Sequence, residues 1–163
     1  MTTTSNRSSI PMTKQGYQAL QEELKRLKRD ERPKIIKAIQ DAREHGDISE
    51  NAEYHAAKER QSFVEGRIQE LEDKIARAQV IDTPRHGNDK VVFGATVLLA
   101  DVETGEEVRY KIVGADEADI KSGKISISSP VGRALIGHSL DDTVRVKVPS
   151  GIKEYEILDI SFD

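Results

Sequence analysis

The chain has 163 residues, of which 33% are charged and 36% hydrophobic, and its formal net charge is −4. Its length suits one medium domain or two small ones, and no apolar run is long enough to span a bilayer. The absence of cysteine excludes disulfides, thiolate chemistry and Cys-ligated zinc. An aromatic content of 4% argues against a large platform for stacking bases.

The first nine residues, MTTTSNRSS, are polar throughout. They lack the apolar core of a signal peptide, so the sequence predicts a cytoplasmic protein with no membrane partner and a flexible N-terminus over residues 1–10.

Helical periodicity begins after this segment. Tyr17, Leu20, Leu24 and Leu27 recur at the a/d spacing of a coiled coil, and Thr13 is placed to cap the helix. Pro33 predicts a kink, but no Gly or polar turn cluster lies beside it, so we expect the helix to continue to about residue 44. A second seam repeats over residues 48–79, at Tyr54, Ala57, Val64, Ile68, Leu71, Ile75 and Ala78.

Two apolar seams of similar length flank a short break that contains Gly46. Antiparallel pairing buries both seams, which neither helix buries alone. The pattern predicts an antiparallel coiled-coil hairpin over residues 11–82, with arms of about 45 Å and an acidic tip at residues 44–53.

The second half of the chain changes to a period of two. The run VVFGATVLLADV and the alternating EVRYKIV flank ETGE, which favours a β-hairpin, and two more strands follow around PSG near residues 143–161. Ser129-Pro130 and Gly137 bracket a short predicted helix. We expect a linker at residues 83–90 and a small C-terminal domain at residues 91–163, which makes the fold class α+β.

Charge is separated along the helical half. Residues 25–37 carry seven basic and two acidic side chains, whereas residues 41–53 carry one basic and five acidic side chains. The basic run suits either a solvated helix face or a phosphate backbone lying alongside it.

Local structure explains part of the acidic tip. Gly46 can supply the left-handed conformation that ends the first helix, and Asp47 can cap the second helix with Glu50 at its third position, as in a capping box. Asp41 and Glu44 remain unassigned, because negative charge is unfavourable at a helix C-terminus.

Metal binding gives a sharper interpretation of the tip. An EF-hand loop starting at Asp47 is excluded, because Ala52 and Lys58 occupy the positions that need Gly and Glu. His45 and His55 belong to no HExxH pattern. Asp47 and Glu50, three residues apart, can face one side and offer two carboxylates to Mg²⁺, with the remaining ligands supplied by another site.

The tip sequence RPKIIKAIQDAREHGDISENAEYHAAKE resembles the Gre family of bacterial transcript cleavage factors, and the likeness extends through EGRIQELEDKIARAQVID, VVFGATV, ISSPVGRALIG and KVPSG. It covers the chain from Ile10 onward. The resemblance implies that the second domain is similar to the FK506-binding-protein fold. It also implies that the coiled coil enters the secondary channel of bacterial RNA polymerase while the C-terminal domain docks at the channel rim.

The resemblance further implies a non-enzymatic role. Asp47 and Glu50 would help hold the second Mg²⁺ of the polymerase, which then cuts the nascent RNA 3′ end of backtracked, arrested complexes; no cofactor is expected to bind stably to the factor alone. Arg43 and Lys58 match RNA-facing residues, and Gly46, Asn51 and Tyr54 match the tip motif, although Tyr54 also suits the seam.

Residues 125–140 are the expected polymerase-docking face. Two other functions stay open: an inhibitory plug of the same channel, and a prolyl isomerase or chaperone, for which only four aromatic residues remain after residue 82.

Overall fold

The computed structural model describes residues 8–46, 50–82 and 90–162. These divide into two compact units, one built from Tyr17–Ala78 with Ser8, and the other from Ser9–Gly16 with the described part of Gln79–Asp163. The structure therefore places residues 11–16 with the C-terminal unit, whereas the sequence grouped them with the coiled coil. Residues 1–7 of the predicted flexible N-terminus and residues 83–89 of the predicted linker lie outside the described residues.

The first helical segment runs past Pro33, as predicted. Helix α1 (Lys14–Arg26) is joined to helix α2 (Arg32–Glu44) by a π-helical turn at Leu27–Glu31. In that turn the Arg32 N–H donates to the Leu27 carbonyl, five residues back. Pro33 then lies in the first turn of α2, where a backbone N–H is not required. The helix is thus irregular just before the proline, as a π-helical turn, and the kink at Pro33 stays a prediction.

Helix α3 (Ala52–Ala76) packs against α2 as the second arm of a helical hairpin. The predicted seams are confirmed, because their residues form the buried interior of this unit: Leu20, Leu27, Ile35, Ile39, Ala42, Ala57, Ile68 and Leu71. Within the described ranges, no helix combines the length and the apolar character needed to cross a bilayer.

Ion pairs border the buried seam. Arg32 donates two hydrogen bonds to the Glu65 carboxylate, at 2.7 and 2.9 Å, and Arg67 donates two to Glu23, both at 2.9 Å. The hydrogen bond from Arg67 lowers the pKa of the Glu23 carboxyl, against an opposing effect of burial.

The C-terminal unit is built on a five-stranded sheet of order β5-β4-β3-β7-β6. Its strands are β3 (Thr96–Asp101), β4 (Glu107–Val113), β5 (Lys124–Ser126), β6 (Thr143–Val148) and β7 (Gly151–Ser161). Strands β4 and β5 pair in parallel, and the other neighbours are antiparallel. Two short strands, β1 (Ile10–Met12) and β2 (Ala78–Val80), form a separate pair.

One face of the five-stranded sheet carries the core. Val97, Leu99, Ile112 and Ile157 are fully buried there against Leu135 of helix α4. This helix (Pro130–Leu135) is capped by Ser129, whose side chain accepts from the Gly132 N–H, and Gly137 past its end has φ 85°. The α+β class, the ETGE hairpin and this short helix are confirmed; the likeness to the FK506-binding-protein fold stays a prediction.

A carboxylate of the C-terminal unit holds the start of α1. Glu117 accepts hydrogen bonds from the N–H and the hydroxyl of Thr13 and from the Gly114 N–H. The Thr13 hydroxyl in turn accepts from the Gly16 N–H at 3.1 Å, which confirms the predicted cap. A Cβ atom at Gly16 would overlap the Glu117 carboxylate. Sequence spacing gave no sign of this contact between residues 104 positions apart.

Two glycine-to-alanine changes in helices should therefore act in opposite directions. Gly16→Ala forces Glu117 away from its hydrogen bonds, and we expect a loss of about 1–3 kcal/mol in unfolding free energy. Gly66→Ala meets nothing within 4 Å and should gain about 0.5–1 kcal/mol through helix propensity. Denaturant titrations of both variants make the comparison. Equal losses at both positions would contradict the Glu117 contact.

The Glu23–Arg67 pair should make stability pH-dependent. Because the folded pKa of Glu23 lies below its ordinary value of 4.5, its contribution is complete above that value and is lost as the pH falls through the folded pKa. Glu23→Gln should cost about 0.5–1 kcal/mol near neutral pH, and the two melting curves should converge in acid. A difference that persists below about pH 3 would mean that packing, not charge, accounts for the loss.

Candidate functional site

The turn between α2 and α3 begins as the sequence predicted. Helix α2 ends at Glu44, and the His45 N–H donates to the Ala42 carbonyl at 3.3 Å. Gly46 follows with φ 136°, a backbone conformation that other residues rarely adopt, and nothing lies within 4 Å of its absent side chain. Asp47 lies outside the described residues, which continue from Glu50.

Asn51 joins the two helices at this turn. Its side-chain oxygen accepts from the Tyr54 N–H at 3.1 Å, so Asn51 is the N-cap of α3. Its amide nitrogen donates to the Ala42 carbonyl at 2.6 Å, in the last turn of α2. The predicted capping box from Asp47 to Glu50 is wrong for this helix, because α3 begins at Ala52 and Glu50 precedes it. Asn caps a helix as well as Asp does, so Asn51 could have been recognised as a candidate cap from the sequence.

Tyr54 connects the turn to the hairpin interior. Its ring packs against the cluster of Ile35, Ile39 and Ala57, in agreement with its predicted seam position. The Arg43 guanidinium carbon lies 5.7 Å from the centre of the same ring, a cation–π geometry. Arg43, one of the predicted RNA contacts, is thereby held at the turn while remaining exposed.

Glu50 is an exposed carboxylate with no hydrogen bond or ion pair to another described residue. It lines an open depression together with His45, Asn51, Ala52 and Glu53. Carboxylate oxygens are the ligands that Mg²⁺ prefers, so the donor type at Glu50 fits the ion. No three His, Cys, Asp or Glu side chains converge as a metal site in the described ranges.

The other predicted residues lie nearby but do not converge on Glu50. Lys58, one turn beyond Tyr54 on α3, donates to Gln61 at 3.0 Å. Asp41 and Glu44 are exposed on α2. From the basic run, Lys28 and Arg32 form ion pairs with Glu72 and Glu65. Other members line a groove on the helix surface: Arg26, Arg29, Lys34 and Lys37, with Asp30, Glu31 and Pro33.

Both halves of the chain match family models. Residues 10–80 match the N-terminal domain model of the GreA/GreB transcription elongation factors, and residues 86–162 match their C-terminal domain model. The chain therefore belongs to the GreA/GreB family of transcription elongation factors.

Curated members of the family are similar over nearly their whole length. Transcription elongation factor GreA of Trichlorobacter lovleyi is 66% identical over 96% of this chain and 99% of its own. GreA of Pelobacter propionicus is also 66% identical, over 95% and 98%. The crystal structure of GreA factor homolog 1 of Thermus thermophilus is 30% identical over 93% of this chain and 98% of its own, with a TM-score of 0.43.

Asn51 should be the residue on which the order of the turn depends. Asn51→Ala removes both the cap and the bond to Ala42, and we expect a loss of about 1–2 kcal/mol, with faster hydrogen exchange at the Tyr54 amide. Asn51→Asp keeps the acceptor but loses the donor, so its effect should be intermediate. Gln61→Ala, which removes a half-buried amide of the same helix, should stay within about 0.5 kcal/mol. A similar loss in the Gln61 variant would contradict a special role for Asn51.

Proposed function

We propose that this factor binds bacterial RNA polymerase through its secondary channel and stimulates the polymerase's own cleavage of the RNA 3′ end in backtracked, arrested complexes. The fragment is released, and elongation resumes from the new end. The observation that carries the proposal is the exposed Glu50 carboxylate, which no described cation neutralises, beside a turn fixed by Asn51. Family membership and the sequence pair Asp47 and Glu50 support it.

The contribution of the factor is a pair of acidic ligands. Asp47 and Glu50 would complete the coordination of a second Mg²⁺ at the polymerase active site, which two exposed carboxylates would hold poorly alone. When bound, that ion stabilises the attacking and leaving oxygens of the phosphodiester. The carboxylates would also orient the attacking water. The factor is thus an activator, and the bond is cut by the polymerase.

The residues around the carboxylates would receive the RNA. Arg43 is held against the Tyr54 ring, and Lys58 lies on the same face of α3 as Tyr54. Both are exposed and suit contacts to the phosphates of the extruded 3′ end. The groove lined by Arg26, Arg29, Lys34 and Lys37 would contact phosphates farther along the same RNA strand.

The C-terminal unit would dock at the rim of the channel, and residues 125–140, which include α4, contribute the expected surface. A prolyl isomerase is less suited to the structure: Phe93 is buried, and Tyr110, Tyr155 and Phe162 pack against the sheet core, so these four aromatics do not line an open pocket. An inhibitory plug would need the hairpin but not free carboxylates at its tip. A cytoplasmic location follows from the proposed partner.

Cleavage of RNA in purified, backtracked elongation complexes tests the proposal. Asp47→Asn and Glu50→Gln should each reduce stimulated cleavage about a hundredfold or more, because each loses one charged ligand. Polymerase binding and melting temperature should stay unchanged, since Asn51 supplies the cap. Asp41→Asn, the same change at an exposed α2 site, is the matched control and should cleave normally. Full activity in both tip variants would refute the ligand role, and slowed elongation by the wild type would favour the inhibitory plug.

A further inference from the structure

The C-terminal sheet has a second charged feature, which lies on the face opposite its core. Lys111 of β4 and Lys124 of β5 are direct partners in the parallel register, so their side chains project on the same face. Arg109 is two residues before Lys111 and shares that face. We call these three residues the basic corner. Their sequence neighbours Ile112 and Ile125 point the other way, into the core.

The basic corner is unpaired. None of its three cations forms an ion pair or a side-chain hydrogen bond with another described residue, and Arg109 and Lys124 are exposed. Like charges directly opposite each other in a sheet are destabilising. On the same face, by contrast, Arg145 pairs with Glu154 at 3.1 Å. The repulsion between Lys111 and Lys124 therefore has no compensating contact within the described fold.

We propose that the basic corner docks on an acidic patch of the RNA polymerase surface. This inference rests on the proposed function, which supplies the partner, and it adds a docking contact on the sheet face opposite the core, at positions outside residues 125–140. Arg and Lys side chains form charge-assisted hydrogen bonds with carboxylates, and bringing such a patch to the corner would relieve the repulsion within it.

The surrounding charges favour a protein partner over nucleic acid. On the same face, β7 presents the exposed carboxylates of Glu156 and Asp159. The corner spans two adjacent strands, about 5 Å apart. Duplex DNA carries one charge per roughly 1.7 Å, so its backbone would extend from the corner onto these carboxylates. A compact acidic patch of a protein matches the corner without that repulsion.

Charge reversal tests the contact. The full-length double variant Lys111→Glu/Lys124→Glu is compared with Lys147→Glu/Lys153→Glu, which makes the same charge change at exposed positions of the β6–β7 hairpin. We expect the corner variant to bind purified core polymerase roughly tenfold more weakly at about 50 mM salt, and the difference to shrink at about 500 mM because exposed charges are screened. The control should bind within about twofold of the wild type. Equal affinities of the two variants would overturn the inference.

A cleavage assay separates this inference from the proposed function. Because its tip is intact, the corner variant should reach full cleavage at saturating concentration, whereas Asp47→Asn should not. A wild type that binds polymerase without stimulating cleavage refutes the proposed function alone. If the corner variant loses affinity for duplex DNA or single-stranded RNA while its affinity for polymerase is unchanged, the inference of a protein partner is overturned. If the reversed variant unfolds, Lys111→Gln/Lys124→Gln decides: weaker binding supports the docking contact, and unchanged binding refutes it.

Discussion

The antiparallel pairing of two apolar seams is the constraint on which the helical unit depends. Ile35 and Ile39 on α2 meet Ala57 on α3, and the partly buried residues packed against this cluster, Ala38, Tyr54 and Val64, belong to the same two helices. Every charged side chain must then lie at the border of the seam or on the outer faces. Those at the border, such as Arg32 and Glu65, form ion pairs between the helices, and those at the turn face solvent.

Because of this arrangement, different residues of the turn stabilise the structure and carry the exposed charge. Burial of the seam requires the chain to reverse within a few residues, and the reversal leaves orphan backbone groups at two helix ends. The single amide of Asn51 satisfies one group on each side. The uncharged Asn51 thus stabilises this end of the hairpin, and Glu50 forms no hydrogen bond or ion pair with another described residue. A carboxylate in that position is available to an external cation.

The sequence predicted what depends on periodicity and failed where tertiary contacts decide. Repeats of three and four residues located both seams, and alternation located the ETGE hairpin. The sequence predicted Asp47 rather than Asn51 as the cap of α3. Both residue types cap helices well, and the bond from the Asn51 amide to the Ala42 carbonyl, which favours Asn51, is visible only in the structure. Glu117 and Thr13 are far apart in sequence, so no local pattern pairs them. The partnership of Lys111 with Lys124 requires the parallel register of β5, a three-residue strand too short to show a period.

Unpaired charge occurs in both units, with opposite sign. The hairpin turn presents carboxylates, and the basic corner presents three cations, although residues 83–163 carry the whole net charge of −4. A domain with an excess of acids has partners at hand for its cations, as Arg145 and Glu154 show. Lys111 and Lys124, which lie directly opposite each other, gain no such partner among the described residues, so the fold itself does not offset their mutual repulsion. Attraction to an oppositely charged surface of a partner accounts both for the exposed carboxylates of the hairpin turn and for the cations of the basic corner.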